Sequence, residues 1–402
     1  QDKVFLKRMA ALPGSSDWTH ECSDGARSYF SRDKLVKAPL GILWYGDGPG
    51  HGFHKFKDYG RGVKPQVAGG RLVAFDDRAK RLTALDAYTG RLLWNFDTET
   101  SIVRFAPLPD AVIVGRNSEC VILNPVDGSI VKTLPCQLDP ALKGEPGVVD
   151  VRVSDPLILI AVGYDLPKGS SHPAIESGLW DAKTIVAFDR KTGKQLWSTT
   201  AKERFNIHSI VIGEGLIYCT DSIAPLKADH LMRRGTAPET FTSTVLALDA
   251  ADGTVKWKYA REYGHRVMTG RGPLAIRPYD DWSAYSYQSK FLYTGKLKEM
   301  QAINAATGEI VWEKPIGMQP LMLYDDSFIN QAGIKYDLLT GKQLSASPLF
   351  KRSGCNYTVA IRTCSFCETT VPRMWTWIKR KSSVCGTYDR GAATAWSPPT
   401  VC

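Results

Sequence analysis

The sequence contains no run of 18 or more apolar residues, so no segment reads as a membrane-spanning helix. It has no cysteine framework either: nine cysteines are spread over 402 residues, with no adjacent Cys-Cys pair. Cys364 and Cys367 form a C-x-x-C, but Cys385 and Cys402 follow at irregular spacing and no second such pair occurs, which argues against zinc. Basic runs interleaved with aromatics are missing, as is any recognition helix. The balance of 51 Lys+Arg against 41 Asp+Glu, a net +10, is spread thinly and does not point to nucleic acid. No Ser-His-Asp or Cys-His spacing supports nucleophilic catalysis.

What is present is one pattern written six times. It reads ALDAYTGRLLW (84–94), ILNPVDGSIVK (122–132), AFDRKTGKQLW (187–197), ALDAADGTVKW (247–257), AINAATGEIVW (302–312) and KYDLLTGKQLS (335–345). An acidic or amide residue, a glycine and a terminal residue hold the same spacing in every copy. They are Asp86, Gly90 and Trp94; Asn124, Gly128 and Lys132; Asp189, Gly193 and Trp197; Asp249, Gly253 and Trp257; Asn304, Gly308 and Trp312; and Asp337, Gly341 and Ser345. Such self-similarity means an array of equivalent supersecondary units.

Each copy has the chemistry of a β-hairpin. Apolar and polar residues alternate before the turn, the Asp or Asn can accept hydrogen bonds from turn amides, and Gly supplies positive φ. The terminal Trp is large enough to reach a neighbouring unit. Its replacement by Lys132 and Ser345 predicts weaker packing at those two places. Upstream of each hairpin lies a second pair of strands, expected in the first unit near 64–68 and 71–75, followed by 81–86 and 91–95. Four short antiparallel strands per unit make the expected fold all-β, a β-propeller with six recognisable blades and seven to eight in an intact ring. The repeat intervals are 38, 65, 60, 55 and 33 residues, so the longer ones carry insertions, at 164–182, 224–243 and 279–290.

The repeat resembles the pyrroloquinoline-quinone (PQQ) repeat of quinoprotein alcohol dehydrogenases and of the outer-membrane assembly propeller of Gram-negative bacteria. The lead-in from Asp17 to Gly46, with its D-W-T-H and a strand ending at Trp44, is similar to that of quinoprotein-like propellers. D-W-T-H, P-Q-V-A-G-G-R-L and a late G-C are shared with bacterial PQQ-like propellers of unassigned activity. For the dehydrogenases the resemblance implies PQQ held in a central funnel over a calcium ion bound by Glu, Asn and Asp. It also implies a catalytic Asp and often a disulfide of adjacent cysteines. Neither a calcium-ligand set nor a catalytic Asp matches residue by residue, and Asp86 and Asp189 have a structural role at the turns.

The expected function is therefore a non-catalytic binding or scaffold module, with a protein or polysaccharide as partner. The alternative is a quinoprotein-like oxidoreductase with PQQ and calcium in the channel. Arg61, His208 and Arg266, read as preceding the first strands of blades, are candidates for a cationic channel lining or for channel fillers. His51 and His54 stand three apart in a Gly-rich loop, and Asp229, His230, Arg233 and Arg234 cluster in an insertion; both read as solvent loops. Cys120 and Cys219 read as buried strand thiols, Cys22 as a candidate for pairing with another loop cysteine, and Cys136 and Cys355 carry no pattern. The resemblance implies a periplasmic or extracellular location, and a chain opening on Gln1 is read as processed or fragmentary.

Three regions are expected: a lead-in at 1–38, the propeller at 39–361 and an aberrant tail at 362–402. The tail loses the alternation and gains Cys, Arg and Trp; it holds six basic and two acidic residues, leaving about +6 on the rest. Met374-Trp375-Thr376-Trp377-Ile378 read from the third codon base permits Val-Asp-Leu-Asp, a normal strand end for this repeat. The same offset across Gly386 to Trp396 permits the family's late R-S-G-C. The tail thus reads as a frameshifted translation of the last blade, not expected to fold natively.

Overall fold

The structure is a computed structural model that describes residues 11–37, 40–44, 63–76, 79–100, 103–136, 146–164, 182–213, 215–223, 231, 234–236, 242–262, 265–267, 274–278, 300–316, 321–324, 326–351, 358–362, 364–367, 373–376 and 382–384. A short strand, β1 (Phe30–Ser31), precedes the blades. The first blade is β2–β5 (Gln66–Ala68, Arg71–Asp76, Arg81–Asp86, Leu92–Asp97), within two residues of the strands the alternation predicts. The second is β6–β9 (Val103–Pro107, Val112–Arg116, Glu119–Leu123, Ile130–Pro135). The third is β10–β13 (Pro146–Ser154, Leu157–Tyr164, Ala182–Asp189, Gln195–Phe205). The fourth is β14–β17 (Val211–Gly213, Leu216–Ser222, Thr242–Asp249, Val255–Glu262), joined to the third through Phe205 and Asp221.

The fifth blade is β18–β21 (His265–Val267, Leu274–Pro278, Met300–Ile303, Ile310–Lys314). The sixth has β22–β24 (Met322–Leu323, Ser327–Ile329, Lys335–Asp337), with a bridge from Tyr336 to Gln343 where an outer strand begins. A seventh sheet is β25–β28 (Val359–Ile361, Cys364–Cys367, Arg373–Thr376, Ser382–Val384). Pairing within blades is antiparallel and sequential; β1 joins β25 in parallel, Phe30 opposite Ala360. The strands at 364–384 carry no alternating pattern, so the sequence does not predict them; a ladder needs backbone groups alone. Among the described residues no helix is long and apolar enough to cross a membrane. The three insertions lie mostly outside the described residues.

Between blades the predicted hairpin chemistry does the joining. Asp189 Oδ1 accepts the Thr192 amide and hydroxyl, both at 2.6 Å, and Asp337 accepts those of Thr340 at 2.8 and 2.7 Å. These donors hold the carboxyls of Asp189 and Asp337 below the usual range. Each indole then donates to the carbonyl just past the next copy's Asp or Asn. Trp44 reaches Ala87, Trp94 Pro125, Trp197 Ala250, Trp257 Ala305 and Trp312 Leu338, all at 2.8–3.0 Å. The ring lies flat over the turn glycine: a Cβ on Gly253 would stand 2.6 Å from Trp197. Lys132 does not leave its place empty. Its stem covers Gly193 and its Nζ donates to the Thr192 carbonyl, so an aliphatic chain with a charged tip replaces the indole.

One regularity went unread in the sequence. The last two strands of blades one to five slip register at the same step, Ala84/Leu85, Ile122/Leu123, Ala187/Phe188, Ala247/Leu248 and Ala302/Ile303. A bulge there bends and twists the outer strand that carries the Trp or Lys. Apolar residues from adjacent blades fill the spaces between sheets, as where Val73, Leu82 and Trp94 meet Phe105, Val114 and Val121.

Candidate functional site

The first strands of the blades face the centre of a propeller, where a channel is expected. Here the segment from Asp17 to Asp33 lies against them as a strap. Trp18 and Val67 of the first blade exchange backbone hydrogen bonds of 2.7 and 3.0 Å. The Val153 amide at the end of β10 donates to His20 Nε2 at 2.9 Å. The Ile212 amide of β14 donates to the Gly25 carbonyl at 3.0 Å, and that of Leu323 in β22 to Ser28 at 2.8 Å. The Ala360 amide of β25 reaches the Tyr29 carbonyl at 3.1 Å. One strap thus bonds to the inner strands of five blades, including both sides of the seam between first and last.

Local chemistry shapes it. Asp24 Oδ1 accepts the amides of Ala26 and Ser28 at 3.1 Å, curling the chain. Ser23, Arg27 and Tyr29 sit at positive φ, an unusual density of left-handed residues. At Gly25 a Cβ would stand 3.2 Å from the Val153 carbonyl, so the smallest residue permits the approach to β10. Asp33 closes the strap by accepting from Ser16, Leu35 and Val36.

His20 and Arg27 of the strap are buried together with Asp150 and Arg152 of β10. Asp150 and Arg152 stand two apart on β10, on one face of the strand, and pair at 2.8 Å. Burial raises the Asp150 carboxyl, against the opposing pull of Arg152, Arg27 and Arg104. Burial, with Arg152 and Arg27 adding to it, lowers His20 to about 3, so its ring is neutral. With Nε2 accepting from Val153, Nδ1 carries the proton toward Thr19 Oγ1 at 2.9 Å. A small recess with room for about one water lies between strap and blades, lined among others by His20, Gln66, Arg104, Phe105, Asp150 and Arg152.

The side chains of the channel residues proposed from sequence lie outside what the structure describes. Arg61 lies outside the described residues. His208 sits in the 3-10 turn Ile207–Ser209 just before β14, and Arg266 within β18 opposite Arg277; their side chains lie outside the description. His51, His54, Asp229, His230, Arg233 and Cys355 also lie outside it, and Arg234 is in a turn. Cys120 and Cys219 are buried strand thiols as expected, while Cys22 is a free thiol buried in the strap, not a loop cysteine in a disulfide. The hub residues had a signal that went unread: charges inside otherwise apolar first strands, VRFAP at Arg104 and VVDVRVS at Asp150 and Arg152.

Four-stranded antiparallel blades clamped by tryptophans around a polar hub define a PQQ-like β-propeller. Residues 37–152 and 176–331 match the family model described as outer membrane protein assembly factor BamB, and the chain belongs to that family. Among solved structures it is similar to a europium-containing methanol dehydrogenase, at 12% identity and TM-score 0.57, over 92% of this chain and 86% of the other. It also resembles quinohemoprotein alcohol dehydrogenase from Comamonas testosteroni, at 15% identity and TM-score 0.51, over 89% of this chain and 58% of that one. BamB from Moraxella catarrhalis matches at 17% identity and TM-score 0.44, over 77% and 84%. The likenesses to the two dehydrogenases speak for the fold alone. The sequence matches none of the curated proteins.

Proposed function

We propose that the chain is a non-catalytic propeller that binds a partner through its hub and loops, as a scaffold module of the cell envelope. The observation that carries this reading is the strap: the chain's own residues 17–33 lie across the inner strands, where a quinone cofactor is expected. PQQ, a rigid tricyclic ring system, does not fit a recess with room for about one water. The donors there do not suit calcium either, since the Asp150 carboxylate is engaged by Arg152 at 2.8 Å. Among the described residues no three His, Cys, Asp or Glu side chains gather to hold a metal. A family described by outer-membrane assembly supports an envelope location and a protein partner.

Calorimetric titration of the full chain with PQQ, with and without calcium, tests the reading. No saturable heat is expected under either condition. Saturable calcium-dependent binding overturns it in favour of a quinoprotein oxidoreductase.

A further inference from the structure

Gln66, on β2 of the first blade, is 1% exposed and lines the hub recess, yet its Oε1 accepts no hydrogen bond from the described residues. A buried acceptor without a donor is disfavoured, so an N–H or O–H belongs against it. Size and charge limit what can supply one. The recess has room for about one water, which excludes any organic group. A metal cation or ammonium would stand against the guanidinium groups of Arg104 and Arg152, which line the same recess. An anion would stand against the Gln66 carbonyl and the carboxyls of Glu21 and Asp150. A neutral molecule that both donates and accepts suits both kinds of lining.

Independently of what the propeller binds, we propose that this recess is a specific site for a single water molecule that joins the strap to the first three blades. The water donates one O–H to Gln66 Oε1 and accepts an N–H from a guanidinium of the hub. Its second O–H goes to a carboxyl of Glu21 or Asp150, completing the three bonds usual for a buried water. The pairing of Arg152 with Asp150 is no obstacle, since it runs through Nε at 2.8 Å and the guanidinium carries further N–H groups. The lining sets what the water joins: His20 and Glu21 belong to the strap, Gln66 to β2, Arg104 and Phe105 to β6, and Asp150, Val151 and Arg152 to β10. A water-mediated contact of this kind is nearly as favourable as a direct hydrogen bond. It supplements the strap's direct bonds at Trp18 and Val153.

Magnetic relaxation dispersion of water oxygen, which counts waters held longer than the protein takes to tumble, tests the site on the full chain. Gln66→Met keeps an unbranched side chain of similar length and removes the acceptor. The count of long-lived waters is expected to fall by one in this variant; an unchanged count overturns the site. Hydrogen exchange then reads the water's part in holding the strap. The Val153 amide, which donates to His20, is expected to exchange about tenfold faster in Gln66→Met, relative to Leu159 on the adjacent β11. An unchanged ratio overturns that part. Thermal melts establish that the variant folds. If it does not, a crystal structure of the unaltered chain decides. One water peak within hydrogen-bond distance of Gln66 Oε1 is expected there. Gln66 Oε1 bonded to a protein group instead, or an anomalous peak in the recess after a bromide soak, overturns the assignment.

Discussion

At the residue scale, a flat indole and a glycine carry the contact between blades, and each is needed in the shape it has. Gly253 adopts φ +73, and a Cβ there would stand 2.6 Å from the Trp197 ring. Gly215 adopts φ +76 with nothing within 4 Å of the same position. Gly215→Ala therefore meets the left-handed backbone penalty alone, about 1 kcal/mol. Gly253→Ala adds the displacement of a buried indole and its 3.0 Å bond to Ala250, bringing the loss to about 3 kcal/mol. Urea unfolding of the two variants checks this; equal losses mean that the ring does not clamp the turn. This contact was legible because its parts are chemical signatures at fixed spacing. Lys132 shows the limit of such reading: spacing locates the slot, but that a lysine stem fills it depends on the geometry of the neighbouring turn.

At the scale of the element, the strap is the part the sequence concealed. Blade strands announce themselves by alternation, whereas residues 17–33 are held by Asp24 and Asp33 turns, three left-handed residues and single bonds to distant strands. None of these has a period, so the segment reads as an ordinary lead-in. Charges within the first strands of blades two and three were visible, but their meeting with His20 depends on the strap's path. Burying His20 as a neutral ring has a consequence in pH. Its pKa falls from an ordinary 6.5 to about 3, so its contribution is complete above 6.5 and is lost as pH drops toward 3. The slope approaches about 1.4 kcal/mol per pH unit. Asp150 and Asp24, whose carboxyls burial raises, act in the opposite sense, because protonation in acid relieves the cost of burying their charge. The histidine effect is therefore read as a difference between the unaltered chain and a His20 variant as pH falls from 6.5 toward 3. His20→Gln keeps an acceptor for the Val153 amide and removes the titration. Chemical denaturation across that window is expected to show a stability that falls more steeply with acid in the unaltered chain than in the variant; matching slopes place the titrating group elsewhere.

At the scale of the whole molecule, closing a propeller means joining its last sheet to its first. Here the strap spans that seam, bonding to Val67 of the first blade and pairing β1 in parallel with β25. Beyond Ile361 the sheet continues through β26–β28. Their residues, CSFC, RMWT and SSV, show none of the alternation that packs the other blades. Antiparallel pairing satisfies backbone groups whatever the side chains, but the stability of a sheet comes from burying one patterned face against its neighbours. A tail without that alternation supplies the first without the second, as is expected if it is read in a shifted frame. Replacing everything after Arg362 by the alternative frame is therefore expected to raise the melting temperature. The protected amides of blade seven should also persist as long under hydrogen exchange as those of blade one. The nucleotide sequence across this junction is the direct check: a single frame running unbroken from the sixth blade through Cys402 in closely related coding sequences refutes the shift. Because the strap anchors to Ala360, upstream of the junction, the same exchange experiment distinguishes two designs. If the strap's amides at Trp18 and those of β2 stay protected whichever tail is present, closure rests on the strap. If they are protected with the restored frame and exposed without it, closure rests on a complete last blade.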